Sequence, residues 1–428
     1  SMKLSALSAT VAIGIATPYA AMAQCVPQNP AAGAEVVCSG LESNGLAIIT
    51  ANTVTSVLAG AEVRGNGGAA IDYAMPSSAS SWTRYGQLQV EGLVNGNGNA
   101  GIAIHSGTLD TGWDPYESRI SVTTLAGSSI DGTVGILLDA TPGNPYGKSV
   151  LILNNAGTIS GASGVAIQAL DNTLSGIGYL FNSQTGVIGA IDGAFGTVNN
   201  AGLIDGGARS ALAGREGVYY PFYGLLTNSG FIRSAGNDAT VIVGTYGEVT
   251  NSGTIMNGGV GLAISKASGS LNIQNADTGV ISTQGDNAVR AEQLTLRNDG
   301  FIRGSVISFG QYTYIDNRRG TIDGDVVMGN GENFFIGRVT AAGVVETGVT
   351  GSILGGWNKD SFGIVAAQSA TLSGTLLPAG FERLSLIAEE GATLTIGAGA
   401  VAPGRVTISG NGTIVNATTI SGSDTVVQ

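Results

Sequence analysis

The sequence predicts an all-β chain wound into a right-handed parallel β-helix with an N-terminal cap. Two observations carry this. First, Thr250-Asn251-Ser252-Gly253-Thr254-Ile255, followed by Gly261-Leu262-Ala263-Ile264, recurs in variation along almost the whole chain at a period of roughly 20 to 30 residues, the mark of a solenoid whose units bury an apolar face only by stacking. Second, the apolar runs are short, rich in Val, Ile and Thr, and fenced by Gly, Asn, Asp and Ser, which reads as strands separated by turns.

The anchor of each unit is Gly, any residue, then Ile or Val: Gly92-Leu93-Val94, Gly157-Thr158-Ile159, Gly186-Val187-Ile188, Gly202-Leu203-Ile204, Gly230-Phe231-Ile232, Gly279-Val280-Ile281, Gly300-Phe301-Ile302 and Gly320-Thr321-Ile322. An Asn or Asp precedes several of these glycines, among them Asn155, Asn200, Asn228, Asn251 and Asp299. About ten residues on comes a second apolar strand, as in Ala69-Ala70-Ile71, Ile102-Ala103-Ile104, Ile136-Leu137-Leu138 and Val165-Ala166-Ile167. Two strands per rung are thus visible, and inward Val and Ile of successive rungs, about 4.8 Å apart, would stack into a dry core.

Composition agrees. The 428 residues include 69 Gly, without the three-residue period of collagen, so Gly is assigned to turns. Charged residues are 11% and hydrophobic residues 43%, which excludes a disordered chain. A net charge of −12, with Lys and Arg scattered singly, offers no stripe for phosphate backbones, so no nucleic acid partner is expected.

Residues 1–23 read as a secretory signal: Lys3, an apolar run from Leu4 to Ala16, a break at Pro18, and Ala21-Met22-Ala23 before the cleavage point. Export makes Cys25 and Cys38 a disulfide pair closing a small loop. Residues 24–64 are irregular in pattern and read as a cap over the first rung. Regular rungs occupy 65–336. Residues 337–428, with segments such as Gly391-Ala392-Thr393-Leu394-Thr395-Ile396, read as the same helix in a different rung style. Ser421 to Gln428 supply no closing cap, the ending expected of a chain that continues.

Asn-x-Gly-Thr-Ile repeats followed by Gly-x-Ala-Ile strands, behind a signal peptide, resemble the passenger region of bacterial autotransporters. Gly324-Asp325-Val326-Val327-Met328-Gly329-Asn330-Gly331-Glu332-Asn333-Phe334 is similar to an element common in such passengers. The resemblance covers about Gly60 to Ile336 well and the tail loosely. It implies a rod displayed at the cell surface or released outside the cell, exported through the periplasm and carried across the outer membrane by a C-terminal barrel. The ten-residue alternating strands of such a barrel do not occur in this sequence.

Chemistry is sparse. Aligning the second strands on their last apolar residue puts Asp72, His105, Asp139 and Gln168 in one outward column, with the sole His about 5 Å from each carboxylate. Two carboxylates two rungs apart approach the spacing of inverting glycosidases, but a charge-compensated ladder on a wet face explains the same residues and outweighs it. Gly329 to Asn333 partly matches a calcium-binding nonapeptide repeat; it occurs once, with Asn333 where Asp is expected, so neither metal nor cofactor is assigned. Gly147-Lys148-Ser149 lacks the upstream Gly of a phosphate loop, and a single His rules out a serine triad elsewhere.

The aromatics say more. Trp82, Tyr85, Trp113, Tyr116, Tyr146, Tyr219, Tyr220 and Tyr223 lie in the longer rungs, at similar offsets from their anchors. The repeat directs them to one corner, where rings suit sugar faces or protein hot spots, or else cover the sheet's own edge. The expected function is an adhesin or a structural, self-associating rod that binds a host or cell-surface glycan or protein through these loops. The alternative is a polysaccharide lyase or hydrolase on the same scaffold.

Overall fold

The computed structural model describes residues 24–74, 83–106, 117–140, 148–169, 175–214, 224–244, 247–374, 376–378, 380–398, 400, 405–417 and 425–427. These residues form strands and turns without a helix, and the strands pair in parallel, rung upon rung, round one axis: a parallel β-helix. The rung has three sheets rather than the two visible in the repeat.

The first sheet holds the Gly-x-Ile anchors. Its inward column runs Val63, Val94, Ile130, Ile159, Ile188, Ile204, Ile232, Ile255, Ile281, Ile302 and Ile322, each opposite the next and fully buried. The second sheet stacks Leu46, Ile71, Ile102, Ile136, Ile167, Ile191, Leu212, Val241, Ile264, Val289, Val306 and Val326 in the same way. Each such side chain removed from water contributes about 1.5–3 kcal/mol, so the core grows with length and needs no globular centre.

The third sheet is the one the repeat conceals, because its strands vary in sequence and follow the inserted segments. It runs from Glu35–Ser39 and Thr53–Val57 through Thr83–Val90, Glu117–Thr124 and Lys148–Asn155 to Arg405–Ser409 and Thr425–Val427. Leu88, Val122, Leu153, Leu180, Val198 and Leu226 fill part of its inward column. Two positions beyond that column, at the corner leading to the first sheet, the inward residue is Asn. Asn155, Asn182, Asn200, Asn228, Asn251, Asn275, Asn298 and Asn317 form a continuous buried ladder, each Nδ2 donating to the next Oδ1 at 2.7–2.8 Å. Thr124 closes it at one end by donating to Asn155 Oδ1, and the Asn317 amide donates to Thr347 O at the other.

The anchor glycines serve this corner, not a turn conformation. Gly253 has an ordinary φ, yet a Cβ there would lie 2.2 Å from Gly230 O; Gly202 and Gly230 are hemmed in alike by the rung before them. Gly60, with φ 76° and open space around it, is the turn type expected from composition.

Regular rungs begin at Glu35, well inside the stretch whose pattern reads as a cap. What lies across the first rung is Gln24–Val26, paired antiparallel to Glu35–Ser39 and joined to it by the Cys25–Cys38 disulfide. Glu42 heads the first sheet's inward column. Its buried carboxylate accepts from the backbone amides of Cys25 and Asn44 and from Gln28 Nε2. At the other end, Arg338 and Val339 pair antiparallel with Val345–Glu346. Beyond this excursion the third sheet continues, while Ala370–Leu372, Thr393–Ile396 and Thr413–Asn416 form a separate parallel sheet. Stacked Phe335 and Phe362, with Phe381 edge-on, fill the core there.

Candidate functional site

The second sheet brings the sole imidazole between two carboxylates. His105 Nε2 is 3.2 Å from Asp72 Oδ1, and Nδ1 is 3.7 Å from Asp139 Oδ2. The side chain of His105 is 29% exposed, so the group is half-covered rather than sunk in the core. Asp72 Oδ1 faces Nε2 at 3.2 Å, outside strict hydrogen-bond geometry but placed to favour the protonated ring. The imidazole pKa is raised above its ordinary 6.5: the Asp72 carboxylate facing Nε2 is the largest cause, burial opposes it, and the charges of Asp72 and Asp139 add to it.

The contact arises from a different register than the sequence alignment implies. His105 does stand opposite Asp139, but Asp72 stands opposite Ala103, and Gln168 opposite Leu137. The four residues therefore occupy two columns on one face, and Gln168 is not in the histidine's column. The sheet aligns Ile71 with Ile102 with Ile136 with Ile167, the last apolar residue of Ala69-Ala70-Ile71 and Val165-Ala166-Ile167 but the first of Ile102-Ala103-Ile104 and Ile136-Leu137-Leu138. A slip of two positions keeps every side chain on its own face, so the in-out pattern cannot distinguish the two registers. The long imidazole then spans the offset to reach Asp72.

The ring stands between the two carboxylates, its nitrogens 3.2 Å from one and 3.7 Å from the other. Among the described residues no group of three or more His, Cys, Asp and Glu side chains is arranged to hold a metal ion. A cleft of about 400 Å³, bordered by Arg338, Thr340, Glu346 and Gln368, carries only the Arg338–Glu346 ion pair as charged chemistry.

Of the aromatic residues singled out, Tyr85 is described: it is 48% exposed on the third sheet, opposite Arg119 of the next rung. Trp82, Trp113, Tyr116, Tyr146, Tyr219, Tyr220 and Tyr223 lie outside the described residues. The strands flanking them are described: before 75–82, 107–116, 141–147 and 215–223 the chain is in the second sheet, and after each it is in the third.

No protein-family model matches the chain, and neither a curated protein nor a solved structure is significantly similar to it.

Proposed function

We propose that this chain is a non-enzymatic rod of the autotransporter-passenger kind, displayed at the cell surface, that adheres to a glycan or protein through the segments on one corner of its β-helix. The observation that carries the reading is the shared pair of flanks: the segments holding Trp82, Trp113, Tyr146 and Tyr220 each follow a strand of the second sheet and precede one of the third. A scaffold that closes its other rungs without such residues gains nothing in its core from them. The imidazole standing between Asp72 and Asp139 favours adhesion over sugar cleavage.

The test is a glycan array probed with the purified chain, run beside a reducing-sugar release assay on acidic and neutral polysaccharides. Binding without release is expected, and Trp113→Ala with Tyr220→Ala should abolish binding while leaving melting nearly unchanged. Sugar release that vanishes in His105→Gln would replace this reading with a glycosidase or lyase.

A further inference from the structure

The outer face of the first sheet carries an apolar column. Val187, Leu203, Phe231, Thr254, Val280, Phe301 and Thr321 stand opposite one another in successive rungs, each the outward neighbour of a buried isoleucine. Phe231 is 56% exposed, Phe301 38% and Val187 36%, while Leu203, Thr254 and Val280 are half-buried. The core closes through the isoleucines and has no use for these rings. Apolar side chains left in water in one unbroken column mark a surface that meets another.

The two flanks of the column differ. Two residues further along each strand lie Asp205, Arg233, Met256, Ser282, Arg303 and Asp323, again in register. Arg233 is bound to Asp205 at 2.7 Å, whereas Arg303 is exposed and meets no carboxylate at ion-pair distance among the described residues. On the opposite flank the residues before the anchor glycines, Ala201, Ser229, Ser252 and Thr278, are small and uncharged, which permits close approach.

We propose that this face pairs with the same face of a second copy of the chain, the two rods antiparallel about a two-fold axis that runs along the strand direction at Thr254. An axis there sets Leu203 against Phe301, Phe231 against Val280 and Val187 against Thr321, and it brings Asp205 across from Arg303. Other registers match less well. Moved half a rung, to between Thr254 and Val280, the axis sets Arg233 against Arg303 and Asp205 against Asp323, like against like. Moved half a rung the other way, it leaves Asp205 facing Ser282. Moved a whole rung, to Val280, it sets both phenylalanines against threonines. From Val187 to Thr321 the column rises through rungs of about 4.8 Å, roughly 29 Å in all, so the contact is of the small, exchanging class rather than that of a permanent dimer. The pairing uses no residue of the segments that carry the adhesive reading, so a glycan array and the experiment below test separate surfaces.

The test is cysteine cross-linking. The Cys25–Cys38 disulfide leaves an introduced cysteine as the only free thiol. Thr254→Cys lies on the two-fold axis, so a short bis-maleimide should convert it to covalent dimers at micromolar protein concentration. Thr158→Cys, in the same column, lies roughly 38 Å from its copy in the antiparallel register and should stay monomeric. Adding Phe231→Asp or Arg303→Glu to Thr254→Cys should cut the dimer yield at least tenfold with melting unchanged, since both side chains face solvent in the single rod. The proposal is overturned if Thr254→Cys stays monomeric, if Thr158→Cys links as readily, which is the result of parallel or random contact, or if the yield survives both added substitutions.

Discussion

The Asn228 side-chain amide donates to Asn251 Oδ1 at 2.8 Å, with both residues wholly excluded from solvent. Asn228 Nδ2 also faces the backbone oxygens of Gly230 and Thr254, so one buried amide ties its own rung to the next. Repeated along the rod, this pairing fixes rung register at the corner where the third sheet meets the first. A polar residue here specifies alignment in a way that interchangeable Val and Ile columns cannot.

Breaking the ladder in its middle should therefore be costly. Asn251→Ala leaves Asn275 Oδ1 without its donor, worth about 1–3 kcal/mol when orphaned, while Asn228 Nδ2 keeps Gly230 O and Thr254 O, so local opening near Ile255 should become easier by about 1–3 kcal/mol by hydrogen exchange. Asn251→Asp should be no milder, because it sets an oxygen against Asn275 Oδ1 and buries a charge.

Gly253→Ala and Gly60→Ala separate two roles of glycine. At Gly60 the new methyl meets nothing but inherits φ 76°, a strain of about 1–2 kcal/mol. At Gly253 the backbone is relaxed, but the methyl would press on Gly230 O at 2.2 Å, which a strand locked on both sides cannot yield, so a loss of about 3 kcal/mol is expected. Equal destabilisation in denaturant titrations would mean that the corner relaxes.

Ile204→Ala and Ile255→Ala each remove a fully buried side chain from the first sheet's column. Each should cost about 2–5 kcal/mol, since a stacked position leaves a cavity with no loop to collapse into it. In a solenoid the damage stays with neighbouring rungs, so exchange should quicken around the substituted rung and remain slow near Phe362.

His105 makes stability depend on pH. Its folded pKa is raised above 6.5 by Asp72, with Asp139 adding, so the folded state favours the imidazolium. That contribution is fully present below 6.5 and is lost as pH rises through the folded value. His105→Gln should remove this dependence. Local exchange around Ile104 and Leu138, followed from about pH 5 to pH 8, should quicken with pH in the parent, after correction for intrinsic exchange, and stay flat in the variant.

The repeat made the fold legible. Gly-x-Ile anchors at one period, with short β-branched runs between them, leave stacking in parallel as the one way to bury every Ile. Tertiary structure alone decided the rest. The third sheet, the Asn ladder and the closeness behind each anchor glycine depend on what the previous rung presents, 20 to 30 residues away. Asn155 or Gly253 reads as turn chemistry until that rung is in place. The register that puts Asp72 beside His105 is likewise invisible to a two-residue period, since both alignments bury the same side chains.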